Sequence, residues 1–156
     1  MTPAEAVIIR SEIETLLAEF AWRIDHGADE SAADLFTADG WYAWGAARRS
    51  AGREAIRAAY RARITRGVRT SRHIVTNLRY GSITADRVEA TSIMTLYAED
   101  GPPPHPAHVL MVADFEDVCV RDSGRWLFES RNLIELFNDP GRSAVLPLAD
   151  SRRKPA

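Results

Sequence analysis

Apolar residues recur at three- and four-residue steps early in the chain, and from residue 69 they fall close to every second position. Ile9, Ile13, Leu16, Leu17, Phe20 and Ile24 make a single stripe that predicts a long amphipathic helix. Thr2-Pro3-Ala4-Glu5 supplies its start: Thr2 to cap, Pro3 where a missing N–H costs nothing, and Glu5 to close a capping box. Gly27 is the predicted stop, and Asp29 is placed to cap a second, short helix that reaches Leu35 and Phe36. "TADGWYAWGA" predicts a turn at Asp39-Gly40 leading into a short aromatic strand. Past Gly52, Ile56, Tyr60 and Ile64 mark a third helix with an arginine-rich outer face.

The alternating region predicts four long strands, 69–80, 86–98, 107–121 and 125–137. Their connections are Gly81-Ser82, "EDGPPPHP" and Asp122-Ser123-Gly124. Helices followed by strands in meander order give an α+β fold, with a curved antiparallel sheet wrapped around the long first helix. Such a sheet makes a cone with an apolar pocket at its open end. Residues 1–137 form one domain, and 138–156, with three prolines and a basic end, form a tail expected to be mobile or packed on a partner.

Composition narrows the function classes. Net charge is −2, so nothing draws nucleic acid or an anionic membrane to the chain as a whole. Arginines 48, 49, 53, 57, 61, 63, 66, 69 and 72 then read as a solvated helix face and loop. The single cysteine, Cys119, excludes an internal disulfide and a cysteine zinc cluster, which fits a reducing compartment. The N-terminus lacks the basic-then-apolar plan of a signal peptide, and no stretch has the length and apolarity of a membrane span. A cytoplasmic protein is the expectation.

The candidate chemistry centres on His73, in the middle of "RTSRHIVTN". Its ring nitrogens need partners wherever water is excluded. From residue types alone two readings stand. In one, Asp25 caps its helix end or pairs with Arg23, and His73 bonds a backbone carbonyl. In the other, the two meet as an acid–base pair, with the carboxylate fixing the imidazole tautomer. His26 and His105 read as surface residues, whereas His108 opens a strand near the mouth of the cone. No two histidines are spaced i, i+4, so no metal is expected.

Several stretches carry a resemblance: "WRIDHGADESAADLFTADGWYAW", the helix start Gly52-Arg53-Glu54-Ala55-Ile56, "VRTSRHIVTNLRY" and the hairpin "VCVRDSGRWLFESRNL". Together, over about residues 5 to 137, they resemble the nuclear transport factor 2-like superfamily and its SnoaL-like branch. Within it the chain looks most like the scytalone dehydratase and bile-acid dehydratase group. That resemblance implies Asp25 and His73 as catalytic residues facing the cavity. It also implies a cofactor-independent, lyase- or isomerase-type reaction: dehydration, isomerisation or cyclisation of a hydrophobic, oxygenated cyclic substrate of polyketide or steroid character. Trp44 takes the place of a family tyrosine on the first strand, and Ile24 and Phe20 stand where a tyrosine precedes the aspartate. Leu96 and Ala98 replace a further histidine or aspartate.

Trp44, Trp22, Tyr60, Met94, Leu96 and Phe115 are the expected apolar substrate contacts, with His108 and Asn132 as polar ones. The lost phenols keep open an alternative: a non-catalytic binding protein or accessory subunit, including one like the β subunit of a ring-hydroxylating dioxygenase. The superfamily's habit of covering the outer sheet face implies a homodimer. Apolar residues on both faces of 107–121 agree with burial on two sides.

Overall fold

A computed structural model describes residues 1–45, 48–139 and 141. Helix α1 spans Pro3–Asp25 and begins with the capping box: the Glu5 N–H donates to Thr2 Oγ1 at 3.2 Å, and the Thr2 N–H donates to Glu5 Oε2 at 2.7 Å. Its apolar stripe, Ile9 to Phe20, is buried against the sheet. Gly27, at φ +78°, turns the chain from α1 into a short 3-10 helix, Asp29–Leu35. Helix α2 spans Arg53–Ile64.

Six strands follow the order β2-β1-β6-β5-β4-β3 in one curved, unclosed sheet. They are β1 Phe36–Trp44, β2 Arg48–Ala51, β3 Arg69–Ile83, β4 Arg87–Asp100, β5 Met111–Asp122 and β6 Arg125–Asn138. Strands β3 to β6 form the expected antiparallel meander. The sheet as a whole is mixed, because β1 runs parallel to β6. The tail expected over 138–156 lies, beyond Asn138, Asp139 and Gly141, outside the described residues.

Two predicted turns lie inside strands. Asp39-Gly40 is an interruption within β1, where the register with β6 shifts between Phe36 and Trp41. Glycine is needed there for closeness: a Cβ at position 40 would lie 2.8 Å from the Phe128 carbonyl oxygen and 2.9 Å from Thr37 Oγ1. Gly81-Ser82 likewise forms a bulge near the end of β3, and the chain reverses through Thr84–Asp86, where Thr84 Oγ1 donates to Asp86 Oδ1. Strand β5 starts at 111 instead of 107, after a run in which Pro102, Pro103, Pro104 and Pro106 withhold N–H donors.

Alternation sorts the side chains. Val88, Ala90, Ser92, Met94, Leu96 and Ala98 of β4 all point to the concave face and are buried. Beneath them a fully buried Arg131 on β6 makes a two-pronged ion pair with Asp117 on β5, at 2.7 and 2.8 Å. The rings of Phe20, Phe115 and Phe128 pack around that guanidinium at 4.0 to 4.4 Å. This charged plug lies in the core beneath the cavity, and the buried Val88, Cys119 and Trp126 continue the core beyond it. No helix among the described residues is long and apolar enough to cross a membrane.

Candidate active site

The open end holds a cavity of about 290 Å³ between the concave sheet, the end of α1, the 3-10 helix and α2. Tyr42, Trp44, Met94, Leu96, Phe115 and Leu133 form its sheet wall, and Tyr60 of α2 faces them. Trp44 donates its indole N–H to Glu135 Oε2 at 2.9 Å, which holds the ring in place.

His73 enters from β3 and Asp25 from the last residue of α1. Three donors converge on the Asp25 carboxylate. The His73 backbone N–H donates to Oδ2 at 2.7 Å, and His73 Nδ1 and the Ser71 hydroxyl both donate to Oδ1 at 2.7 Å. The Asp25 side chain is 5% exposed. Burial pushes its carboxyl pKa up, but the His73 ring and N–H and the Ser71 hydroxyl outweigh it and hold the group below its ordinary 3.8. An ionised carboxylate only accepts, so Nδ1 carries a proton, and in the neutral tautomer this fixes, Nε2 is the acceptor. Nε2 has no partner among the described residues.

Neither of the local alternatives is the arrangement found. Arg23 pairs with Glu19 at 2.7 Å, away from Asp25, and the His73 ring bonds a carboxylate, not a carbonyl. Asp25 does not itself line the cavity; it stands behind His73, which does.

Of the expected substrate contacts, Trp44, Tyr60, Met94, Leu96 and Phe115 line the cavity. The other three lie outside it. Trp22 projects from the opposite side of α1, 62% exposed, and stacks on His26 at 3.8 Å between ring centroids. His108 is exposed on the proline-rich approach to β5, beside a surface dent shared with Tyr97 and His105. Asn132 alternates with the inward Arg131 and Leu133, so it faces the convex side and donates to Glu116 at 3.3 Å.

Other lining residues escaped the sequence reading. Tyr42 is two positions before Trp44 on one strand, and Ser71 two before His73, so strand period alone places each beside its partner. Arg63, one turn after Tyr60, is buried against the cavity, which departs from the solvated arginine face expected of α2. Asp29, expected as the cap of the short helix, is instead its first residue, after Ala28 in the cap position, and no side chain makes a capping hydrogen bond. Asp29 lines the cavity, and burial pushes its carboxyl above the ordinary value. Burial likewise raises the Tyr42 phenol to about 12 and the Tyr60 phenol well above its usual range, so both are neutral donors. Neither hydroxyl has a hydrogen-bond partner among the described residues. Among the described residues no cluster of three His, Cys, Asp or Glu side chains is placed to hold a metal ion.

Solved structures of several proteins share this architecture. A candidate scytalone dehydratase from Novosphingobium aromaticivorans is 17% identical, with a TM-score of 0.79 over 99% of this chain and 100% of that one. The β subunit of a candidate aromatic-ring-hydroxylating dioxygenase from the same organism is 16% identical, with a TM-score of 0.72 over 83% and 90%. A protein from Catenulispora acidiphila in complex with S-DNPA is 25% identical, with a TM-score of 0.70 over 83% and 94%. Among curated proteins no relative matches this chain. The SnoaL-like domain model matches residues 5–132, which takes in Asp25, His73 and the whole cavity wall apart from Leu133. With that match and the cone-shaped sheet, the chain belongs to the SnoaL-like domain family of the nuclear transport factor 2-like superfamily.

Proposed function

We propose that this protein is a cofactor-independent enzyme that moves protons on a hydrophobic, oxygenated cyclic substrate, in a dehydration, isomerisation or cyclisation. The observation that carries the reading is the His73 ring, tied through Nδ1 to a buried carboxylate and bordering an apolar cavity. His73 Nε2 takes a proton next to a carbonyl, and the imidazolium then gives one to the departing hydroxyl or to the rearranged carbon. Asp25 positions the ring and stabilises its charged form, which counts for more where water is scarce. The neutral Tyr42 and Tyr60 phenols are suited to donate to a substrate oxygen as negative charge develops on it.

The test begins with a thermal-shift screen of steroids, terpenoids and polyketide fragments, followed by turnover of those that bind. His73→Gln, in a protein with unchanged circular dichroism and melting, is expected to lower turnover by about 10² to 10⁴-fold. Turnover kept within tenfold refutes the role. The likeness to a dioxygenase β subunit supports a second reading, an accessory subunit without chemistry of its own. Stable association with an iron–sulfur partner subunit, insensitive to His73→Gln, decides for it. A homodimer through the convex sheet face belongs to the same proposal, supported by the exposure of Ile74 and Leu136. Sedimentation as a monomer at micromolar concentration removes it.

A further inference from the structure

Arg63 is a buried cation without a matching partner. It is 8% exposed, sits in the last turn of α2 and borders the cavity. Its guanidinium donates no hydrogen bond to any described residue, although a guanidinium is nothing but donors. Its only ion pair among the described residues is with Asp100, at 3.6 Å, and that side chain is 80% exposed. Arg69, from the start of β3, borders the same cavity and reaches the same Asp100 oxygen at 3.5 Å. Burial, and then the nearby Arg63 charge, push the Arg69 pKa down, so the two cations feel each other. Asp29 is the acidic group on this wall, and its field reaches Arg63 without an ion pair forming.

Burying a charge is costly unless hydrogen bonds replace the lost water. A desolvated fork with its donors vacant and facing a cavity is therefore suited to a planar, doubly accepting group on a ligand. The adjoining Ile64 and Val68 are 44% and 68% exposed, which puts this fork at the mouth of the cavity, away from the deeply buried sheet wall.

We propose that the cavity selects a carboxylate-bearing ligand, its carboxylate held at the mouth by Arg63 with Arg69 beside it, and its ring system directed inward to Trp44 and Phe115. This rests on the reading of the cavity as a substrate site and adds the charge of the substrate. Phosphate-sized heads are the less favoured fit, because a planar fork pairs best with a planar acceptor.

The test compares 2-naphthoate with 2-naphthamide by titration calorimetry on the full chain, at pH 8 and 0.15 M salt. The wild type is expected to bind the carboxylate at least tenfold more tightly. Arg63→Met is expected to reduce that preference to threefold or less, while Arg61→Met, at an exposed arginine of the same helix that pairs with Glu30 and does not line the cavity, leaves it in place. Equal binding of the two probes by the wild type needs no variant and overturns the proposal while leaving the substrate site intact. A preference that survives in Arg63→Met, or disappears in Arg61→Met, overturns the assignment to Arg63. Binding of neither probe overturns the proposal together with the substrate-site reading beneath it.

Discussion

Replacing Asp25 with Asn tests the hydrogen-bond arrangement that the site depends on. The carboxylate accepts from the Ser71 hydroxyl, the His73 N–H and His73 Nδ1, all at 2.7 Å. An amide has one accepting oxygen and a donating NH2. With its oxygen in the Oδ1 place, it turns that NH2 towards the buried His73 N–H and leaves it unsatisfied. With the oxygen in the Oδ2 place, it faces Nδ1 with a donor, so the imidazole moves its proton to Nε2 and ceases to be a base on the cavity side. The first outcome costs about 1 to 3 kcal/mol for the unsatisfied donor, and loss of the charge on the remaining bonds brings the total to roughly 2 to 4 kcal/mol. A loss of about 3 kcal/mol lowers Tm by roughly 6 to 12 °C in a domain of this size. Urea unfolding at pH 7, followed by far-UV circular dichroism, measures it, with an unchanged slope expected.

The pH dependence has a definite sign. The folded pKa of Asp25 lies below its ordinary 3.8, so the stability it contributes is complete above that value and is lost as pH falls through the lower folded value. The unfolded chain binds the extra proton in that window, and stability there climbs with pH less steeply in Asp25→Asn than in the wild type. A variant within about 0.5 kcal/mol of the wild type at pH 7, with the same acid limb, refutes the three-donor argument.

Other substitutions probe the surrounding frame. Asp117→Asn strands the fully buried Arg131 charge and is expected to cost about 3 to 5 kcal/mol, whereas Asp117→Leu combined with Arg131→Met restores most of the loss; chemical denaturation of the single and double variants compares them. Gly40→Ala pushes a methyl group against the Phe128 carbonyl and Thr37, so a loss of about 2 kcal/mol or more is expected by the same assay. Asp29→Asn removes a carboxyl whose folded pKa is raised by burial. Its penalty is absent below the unfolded pKa and grows as pH rises through the folded one, so the variant is expected to gain stability at pH 7 and none at pH 3. Melting curves at the two values show whether it does.

Local patterns carried the elements of this fold. The apolar stripe and capping box of α1, the arginine-bearing α2 and the alternating strands β3 to β6 follow from steps of 3.6 and 2 residues, which neighbours along the chain determine. The parallel pairing of β1 with β6 is non-local, joining residues about ninety positions apart, and nothing in the spacing of either strand announces it. Asp39-Gly40 misleads for the same reason: the glycine answers the approach of the β6 backbone, a tertiary demand that looks like a turn in one dimension.

The candidate site divides along the same line. His73 stands out in sequence as an imidazole on a β-branched strand, and the resemblance adds Asp25 as its partner. Strand period then carries Ser71 and Tyr42 with residues already singled out. Arg63 and Asp29 had no such handle, because a helix-end arginine and a helix-start aspartate occur on any surface, and only the packing of α2 and the 3-10 helix at the cavity brings them to its wall. Trp22, His108 and Asn132 were suitable residue types whose faces point elsewhere. Sequence by itself determined residue chemistry and local period; the tertiary structure decided direction and company. A backbone repeats itself over a few residues, whereas the desolvation that gives a buried charge its meaning depends on chain segments brought in from far away.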